Sequence, residues 1–395
     1  MRAIKSLLTP KACLPADHER ALLIGRMWLP GVSGPAVVRV TAEGVFDLSG
    51  LAPTMSDLLE LSNAAGAIQT SADLPRLADT ATVLANSAPE VRDERAPWFL
   101  APCDLAAIKA AGVTFVSSML ERVIEEQARG DPAKAESVRQ AVVAIIGDDL
   151  SRVRPGSPEA GRLKDALIAQ GVWSQYLEVG IGPDAEIFTK SQPMSAVGIG
   201  AEVGIHPKSE WNNPEPEIVL AVNGRGETIG ATLGNDVNLR DFEGRSALLL
   251  GKAKDNNASC AIGPFLRLFD DDFGIDDVRR CELAMRVDGP DGFVLEGRSS
   301  LAMISRDPLD LVAQAIGPNH QYPDGFVLFL GTMFAPTKDR HAPGQGFTHT
   351  VGDIVTVATP CLGALVNRVE HSDRIAPWTF GASALMRNLA GRGLL

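Results

Sequence analysis

The sequence contains no hydrophobic run long enough to cross a lipid bilayer. Its longest convincing apolar stretch, Phe326 to Ala335, covers 10 residues, whereas a membrane-spanning helix needs about 20. Near the first residue, Lys5, Pro10 and Lys11 interrupt the apolar positions, so a secretory signal is not expected. We therefore expect a cytoplasmic protein without a membrane partner.

Closely spaced cysteines are also missing. The five cysteines stand at positions 13, 103, 260, 281 and 361, and no two are closer than 21 residues. An odd number at such intervals argues against a disulfide framework and against a zinc site built from neighbouring thiolates. The cysteine pattern agrees with a reducing compartment such as the cytoplasm.

The chain has no excess of positive charge. Its 37 lysines and arginines face 49 aspartates and glutamates, which gives a formal net charge of −12 at pH 7. A surface of that sign repels phosphate groups, so nucleic acid and anionic membranes are not expected as partners. A small anionic substrate would need a local positive centre, and a bound metal ion can supply one.

The sequence does contain ample material for a packed core. Hydrophobic residues make up 45% of the 395 positions, enough for one large domain or two. We expect a smaller N-terminal α/β domain over residues 1–95, with short strands such as Ala36–Thr41, and a catalytic domain over residues 96–395. Strand-like runs separated by glycine and proline dominate the C-terminal half, so the predicted fold class is α+β, mainly β.

Three helices are predicted after residue 100. Asp104 can cap a short apolar helix that ends at Gly112, and a longer amphipathic helix follows, with apolar positions between Met119 and Ile124. Asp131-Pro132 is a typical helix start, because aspartate accepts hydrogen bonds from the first free amides and proline has no amide hydrogen to leave unpaired. That third helix is expected to stop at Gly147.

Two carboxylates placed two residues apart form the first candidate site. In an extended strand Glu215 and Glu217 point to one face, while Ile218 and the alternate apolar residues after it point to the other. A turn at residues 223–226 can return the chain to Asp236, which would add a third carboxylate. Three hard oxygen ligands on rigid strands favour Mg²⁺ or Mn²⁺ over zinc.

The same pattern has a purely structural interpretation. Charged and apolar residues alternate on many edge strands with one wet face, and Pro214 and Pro216 would be tolerated at such an edge. The two glutamates alone therefore do not establish a metal site, and other segments of the chain must decide.

Several motifs with matching spacing favour the metal site. The stretch from Glu215 to Pro264 resembles the fumarylacetoacetate hydrolase family, with 19 residues from Glu217 to Asp236 and 18 from Asp236 to Lys254. The matching segments are Phe188–Lys190, Val197–Gly204, Glu215/Glu217, Gly234–Asp241, Ala253-Lys254, Gly263-Pro264, Gly331-Thr332, Gly352-Asp353 and Leu362–Asn367. The resemblance covers about residues 98–370.

The resemblance implies a mixed β roll with a helical insertion, a Mg²⁺ ion held by Glu215, Glu217 and Asp236, and a homodimer or a dimer of dimers. The carboxylate and keto oxygen of a small 2-keto acid would bind the metal, which would act as a Lewis acid for an enolate. Lys254 is then expected to be catalytic, either as an ammonium that stabilises the enolate or as a base.

Further site residues follow from the same resemblance. Glu121 is the second candidate for proton transfer, and Ser118 could orient water or a substrate hydroxyl. Ser118 and Glu121 also fit a capping box, which would be a structural role. His341 and His349 offer a further hypothesis, an acid near the far end of the substrate.

Four residues are expected to bind the substrate carboxylate or to support its binding. Gly331 and Thr332 would hold the carboxylate with backbone amides and a hydroxyl, and Lys190 would neutralise its charge. Arg240 would do either of these jobs or would buttress Asp236.

Two departures from the family pattern indicate the type of reaction. Many hydrolases of the family place a histidine where this chain has Ser118, in the segment Gly112–Glu121, so their usual base is missing here. Many also have proline directly after Gly-Thr, where this chain has Met333. With the long helical segment at residues 117–171, these differences resemble the family's sugar-acid dehydratases, which act on 2-keto-3-deoxypentonates and would give 2,5-dioxopentanoate.

Other activities remain open at this point. The same site could support hydrolytic C–C cleavage of an acylpyruvate or decarboxylation of oxaloacetate. A different class would be a non-catalytic protein that binds sugar acids. The three carboxylates and Lys254 argue against a site that has lost its chemistry.

Overall fold

The computed structural model of the chain describes residues 4–129, 131, 134, 153–169, 173–334, 336 and 338–395. Within helix 116–128 it does not describe the side chains of residues 116–118, 120 and 125. The helix predicted to run from Asp131-Pro132 to Gly147 lies outside these ranges except for residues 131 and 134, so it stays a prediction.

The described residues contain eighteen strands. In chain order they are β1 (Leu23–Leu29), β2 (Gly34–Val40), β3 (Val45–Asp47), β4 (Arg76–Ala78), β5 (Trp98–Leu100), β6 (Ala107–Gly112), β7 (Glu186–Ser191), β8 (Glu202–Ile205), β9 (Asn212–Asn213), β10 (Pro216–Val222), β11 (Thr228–Asp236), β12 (Asn238–Leu239), β13 (Cys260–Leu268), β14 (Glu282–Asp288), β15 (Val294–Ser300), β16 (Phe326–Phe329), β17 (Ile354–Thr359) and β18 (Gly363–His371).

The same ranges contain twelve α-helices, most of them short. They are α1 (Pro10–Cys13), α2 (Met55–Glu60), α3 (Ala64–Thr70), α4 (Thr80–Ala85), α5 (Val116–Ala128), α6 (Pro158–Ala169), α7 (Gln175–Ile181), α8 (Arg240–Glu243), α9 (Leu250–Lys254), α10 (Ile275–Arg279), α11 (Pro308–Ala315) and α12 (Ala382–Gly391). Within the described chain, no helix is both long and apolar enough to span a bilayer.

Two large sheets organise these elements. The larger has the order β4-β3-β2-β1-β13-β11-β10-β16-β6-β7, with β5 also paired to β1. The smaller has the order β15-β14-β17-β18-β8, and β9 and β12 form a separate ribbon. The predicted fold class, α+β and mainly β, is confirmed.

The N-terminal strands extend the larger sheet instead of forming one of their own. β1 pairs antiparallel with β13, and Leu23 lies opposite Arg267. The first 95 residues are thus joined by backbone hydrogen bonds to the strands that follow. Whether residues 1–95 and 96–395 fold as separate domains stays a prediction.

The main core lies between the two sheets. Alternate residues of β10, beginning with Ile218 and Leu220, belong to the same buried cluster as Met285 of β14 and Val357 of β17. The opposite face of β10 carries Val219, which packs in another cluster with residues of β6 and β16. The predicted division of this strand into two faces is therefore confirmed.

One predicted helix is wrong. Residues 107–112 form strand β6, because β16 pairs with them on one side and β7 on the other. Asp104 instead supports the start of α2, whose N-cap residue is Thr54: its carboxylate accepts hydrogen bonds from the amides of Met55 at 2.7 Å and Ser56 at 3.1 Å. The amphipathic helix predicted around Met119 is confirmed as α5.

Candidate active site

The hairpin of β10 and β11 builds the carboxylate cluster. Glu217 lies opposite Gly234 in the register of the two strands, and the Asp236 amide donates to the Glu215 carbonyl at 2.9 Å. The three carboxylates each offer one oxygen, and these oxygens lie within 4.8 Å of one another. The turn predicted at residues 223–226 therefore brings Asp236 back to the glutamate pair.

The edge-strand interpretation is wrong, because β10 is a central strand. It pairs with β11 on one side and β16 on the other, and Glu217 is only 1% exposed. Gly234 permits this close packing, since a Cβ atom there would overlap the Phe329 ring. Three carboxylates buried at the centre of a sheet need cationic partners.

Lys254, the last residue of α9, supplies one of these partners. Its Nζ donates to Glu215 Oε2 at 2.5 Å and to Asp236 Oδ2 at 2.9 Å. Burial alone would lower its pKa, but Asp236 and Glu215 outweigh burial and raise the pKa above the usual lysine value. The structure therefore favours the ammonium form of Lys254 over a neutral base.

Glu217 is held by the segment that follows β16. The Gly331 amide donates to Glu217 Oε2 at 2.7 Å, and the Thr332 hydroxyl donates to Oε1 at 3.3 Å. Burial and the neighbouring Asp236 and Glu215 raise the pKa of Glu217 well above its usual value. A cation between these three groups would offset that repulsion.

Arg122, on helix α5, is a second cationic partner. Its guanidinium forms an ion pair with Glu215 and another with Glu243, the latter at 2.9 Å. Burial would raise the pKa of Glu215, but the charges of Arg122 and Lys254 outweigh burial and lower it to about 2. Glu215 is therefore ionised at any physiological pH.

Glu186 faces the same site from the first position of β7. It lies opposite Gly112, the last residue of β6, and a Cβ atom at position 112 would overlap the Glu186 carboxylate. Burial and the nearby charge of Glu243 raise the pKa of Glu186 to about 7. This carboxyl can gain or lose a proton near neutral pH.

These groups surround one cavity of about 310 Å³, including its mouth. It is lined by Ala111, Gly112, Val113, Arg122, Glu186, Phe188, Glu215, Glu217, Asp236, Glu243, Lys254 and Thr332. Five of these side chains are carboxylic acids, whereas two are cationic. The negative excess and the cluster of hard oxygen ligands fit a divalent cation such as Mg²⁺ or Mn²⁺.

Lys190 and Arg240 do not line the cavity. Lys190 Nζ lies 2.7 Å from Asp236 Oδ1 and donates to the carbonyls of Val237 and Lys254 at 3.0 and 2.6 Å. It is fully buried, and three protein oxygens occupy its ammonium group. This geometry fits a residue that positions Asp236 better than one that neutralises a substrate.

Arg240 and Glu121 pair with each other next to the site. Arg240 Nη2 donates to Glu121 Oε2 at 3.0 Å, and the guanidinium stacks on Trp211 with its carbon 4.3 Å from the ring centre. The side chain of Ser118 lies outside the described part of the chain, so its role stays a prediction. The proton-transfer role of Glu121 also stays a prediction.

The two histidines considered above lie away from the cavity lining. His349 is buried, and its Nδ1 is 2.8 Å from Asp353 Oδ2. His341 is exposed. The geometry gives neither of them contact with the reacting groups of the cavity.

Sequence reasoning missed Arg122, Glu186 and Glu243. A signal for Glu186 was present, because Glu186, Phe188 and Lys190 alternate along β7 and therefore share one face. Arg122 is adjacent to Glu121, and Glu243 follows the matched segment Gly234–Asp241 by two residues. Nothing local shows that these three charges meet in one cavity.

The sequence of the chain is similar to those of known proteins. Residues 174–370 match the family model described as fumarylacetoacetate (FAA) hydrolase C-terminal. A probable 2-keto-3-deoxyxylonate dehydratase of Haloferax volcanii is 27% identical over 268 residues, which cover 67% of this chain and 86% of the relative. A 2-dehydro-3-deoxy-D-arabinonate dehydratase of Saccharolobus solfataricus is 28% identical over 190 residues, 48% of this chain and 60% of that protein.

Solved structures resemble the whole fold. The apo form of a 2-keto-3-deoxy-D-arabinonate dehydratase superposes with a TM-score of 0.62 at 18% identity, covering 89% of this chain and 99% of that chain. A structure of such an enzyme complexed with magnesium and 2,5-dioxopentanoate has a TM-score of 0.61, also at 18% identity, and covers 90% and 100% of the two chains. At this level of identity, the likeness establishes the fold.

Proposed function

Because the chain belongs to the fumarylacetoacetate hydrolase family, we propose that it is a Mg²⁺-dependent dehydratase that converts a 2-keto-3-deoxypentonate into 2,5-dioxopentanoate (2-oxoglutarate semialdehyde) and water. The two relatives are described as dehydratases of five-carbon 2-keto-3-deoxy acids, the Haloferax volcanii protein as a probable one. The observation that carries the proposal is one cavity that combines three clustered carboxylates able to hold a metal ion, an ammonium group and a carboxyl with a pKa near 7.

Glu215, Glu217 and Asp236 would hold the divalent cation. When bound there, the cation would polarise the keto group and make the neighbouring C3 protons more acidic. Gly331 and Thr332 donate hydrogen bonds to Glu217, so they would orient the side-chain carboxylate of this proposed metal ligand. We propose this role for them in place of direct contact with the substrate carboxylate.

Glu186 is the residue we propose for proton transfer. Its carboxylate would take a proton from C3, and the resulting acid would deliver a proton to the C4 hydroxyl as it leaves as water. One carboxyl group can do both, because its pKa near 7 leaves either form accessible. A further proton shift from C5 to C3 gives the enol of the aldehyde product.

Lys254 and Arg122 complete the proposed mechanism. The Lys254 ammonium would donate to the oxygen that gains negative charge when C3 loses its proton. Arg122 keeps Glu215 ionised and holds Glu243 at the cavity wall. Neither residue has to change its protonation state during turnover.

The biological setting is part of the same proposal. The reaction would belong to the catabolism of pentoses, in the cytoplasm, and the protein would act as a homodimer or a dimer of dimers. These expectations rest on the family resemblance and on the small, anionic substrate that the cavity would accept.

A direct product assay tests the proposal. Purified protein with Mg²⁺ is offered the 2-keto-3-deoxypentonate stereoisomers, an acylpyruvate and oxaloacetate, and the products are identified by mass spectrometry. We expect 2,5-dioxopentanoate from at least one pentonate, and loss of this activity in Glu217→Gln. Glu227→Gln is the matched control, because Glu227 is exposed at the far end of the same hairpin.

Two other results of the product assay would contradict the proposal. Release of pyruvate from the acylpyruvate or from oxaloacetate, without turnover of any pentonate, would indicate a hydrolase or a decarboxylase. Tight binding of a pentonate without turnover at saturating Mg²⁺ would indicate a binding protein.

A further inference from the structure

The strand register of the smaller sheet brings two cysteines together. β14 and β17 are antiparallel, with Asp288 opposite Ile354 and Ala284 opposite Ala358. Cys281 comes directly before β14, and Cys361 lies in the turn directly after β17. Because the two strands are antiparallel, both cysteines stand at the same end of the strand pair.

The two cysteine side chains meet at this end of the sheet. The sulfur atoms of Cys281 and Cys361 are 2.9 Å apart, and both residues are free thiols. A thiolate bound to zinc lies about 2.3 Å from the metal, so sulfur atoms this close leave no room for an ion between them. The pair is arranged for a bond between the sulfurs and not for a metal.

The two thiols differ in exposure and acidity. Cys361 is partly exposed in the turn between β17 and β18, whereas Cys281 is only 3% exposed. The hydrogen bond from Cys281, a contact with Thr359 and the charge of Arg267 together lower the pKa of Cys361 to about 7. The same hydrogen bond and burial raise the pKa of Cys281. Because Cys361 is the more exposed of the two, a dissolved oxidant reaches its sulfur first, so Cys361 is the nucleophile of the pair.

The turn that carries Cys361 is already fixed in position. The buried guanidinium of Arg267 donates to the Cys361 carbonyl at 2.9 Å and makes two hydrogen bonds to Asp17. The Ala16 amide donates to the Pro360 carbonyl at 2.8 Å. Bond formation therefore requires little movement of the backbone.

We propose that Cys281 and Cys361 form a reversible disulfide when the protein meets a hydroperoxide. The Cys361 thiolate attacks the peroxide O–O bond and becomes a sulfenic acid, and the peroxide is reduced to an alcohol, or to water when it is hydrogen peroxide. The Cys281 sulfur then attacks the sulfenyl sulfur, and its proton leaves with the hydroxide as water. In total, the two thiols lose two electrons and two protons to one peroxide.

The bond would close a large loop. The two cysteines are 80 residues apart, and the loop contains β14 to β17 together with Gly331 and Thr332. Cross-linking such a loop restricts the unfolded chain and stabilises the folded one. Oxidation should therefore raise the melting temperature and should leave the carboxylate cluster unaltered.

Peptide mapping of the oxidised wild-type protein tests the proposal. After hydrogen peroxide treatment and a non-reducing digest, mass spectrometry should find the peptides of Cys281 and Cys361 linked, with two fewer alkylatable thiols and a higher melting temperature. Dithiothreitol should reverse all three changes. Cys361→Ser and Cys281→Ser should each abolish the link, while Cys103→Ala, at a buried thiol whose pKa burial raises to about 12, should keep it.

Two results would overturn the proposal. One is oxidation of Cys361 to a sulfinic acid while Cys281 remains alkylatable. The other is no loss of thiols at peroxide concentrations that oxidise a free cysteine in solution. Both are read from the wild-type chain, so the conclusion does not depend on whether the serine variants fold.

Discussion

The carboxyl group of Glu186 shares its cavity with four other carboxylic acids and two cationic side chains. Its pKa of about 7 reflects burial and the repulsion from Glu243. Because the proposed first step needs the carboxylate, kcat/KM should fall as the pH decreases through this pKa. A bound divalent cation lowers the pKa of a neighbouring acid, so the inflection should lie at or below about pH 7.

Replacing Glu186 by glutamine removes the ionisable group while the amide keeps its shape. We expect kcat to decrease about 100-fold or more, with the acidic limb of the kcat/KM profile lost. Glu186→Asp should retain that limb at a reduced rate. An unchanged pH profile in the glutamine variant would show that another residue carries the proton.

The three clustered carboxylates, which we propose as metal ligands, repel one another in the absence of a cation. In Glu217→Gln one of these charges is removed; the new amide oxygen can still accept from the Gly331 amide, and the amide NH₂ can donate to the Thr332 hydroxyl oxygen, which lies at the other end of the side chain. The melting temperature measured in EDTA should therefore rise by about 2 °C, whereas the increase on adding Mg²⁺ should disappear. Differential scanning fluorimetry checks both. A Mg²⁺-dependent increase equal to that of the wild type would contradict the assignment of Glu217 as a ligand.

At the scale of secondary structure elements, the Asp104 carboxylate links the start of β6 to helix α2. It accepts from the amides of Met55 and Ser56 and lies 3.5 Å from Arg26. Asp104→Ala leaves the N-cap residue Thr54 in place but removes the acceptors of two buried first-turn amides and leaves a buried cation with one partner fewer, so the free energy of unfolding should decrease by about 2 kcal/mol or more.

A urea titration measures this loss, and Asp79 provides the control. Asp79 stands at the N-cap of α4, where its side chain makes no capping hydrogen bond. Asp79→Ala should change the free energy of unfolding by about 0.5 kcal/mol or less. Equal effects of the two substitutions would mean that the contacts of Asp104 with α2 contribute little.

The packing of β10, β11 and β16 makes a second prediction at this scale. Gly234→Ala would place a methyl group against Phe329 and Val219, so the free energy of unfolding should decrease by about 1–3 kcal/mol. Gly251→Ala is the matched control, because position 251 is exposed and open. Urea unfolding of both variants makes the comparison. If Gly234→Ala left the free energy of unfolding unchanged, the strands would have to move apart easily to make room for the methyl group.

Local signals predicted some elements and failed for others. The hairpin of β10 and β11 was predictable, because its apolar periodicity and its turn at 223–226 lie next to each other in the chain. Strand β6 was not, since its sequence, Ala107–Gly112, contains three alanines and resembles a helix. Pairing with β16, more than 200 residues away, outweighs that local preference. The local sequence around Asp104 likewise does not specify which helix it supports.

The residues of the candidate site also fall into those that local sequence predicts and those that it does not. Glu215, Glu217 and Asp236 come together through that one hairpin, so their spacing was sufficient to predict the cluster. Arg122 and Glu186 reach the cavity only because α5 and β7 are placed by long-range pairing of β6. In sequence, an arginine on a helix or a glutamate at a strand end is typical of a solvated surface, and nothing nearby indicates otherwise.

At the scale of the whole molecule, the predicted homodimer is open to measurement. The chain has a mass of 41.9 kDa, so a dimer should be about twice and a dimer of dimers about four times that mass. Light scattering coupled to size-exclusion chromatography distinguishes these states. A single species of monomer mass, across the micromolar range, would contradict the prediction.

The missing side chain at Gly112 has a consequence for related sequences. Any larger residue there would displace the Glu186 carboxylate, whose flexible side chain can move without disturbing the fold. A descendant of this protein could therefore keep every charged residue of the cavity, fold normally and bind its cation, yet lose turnover through one added methyl group. Such a chain would be judged active if only its acidic and basic cavity residues were considered. The residue at position 112 therefore has to be considered together with those residues.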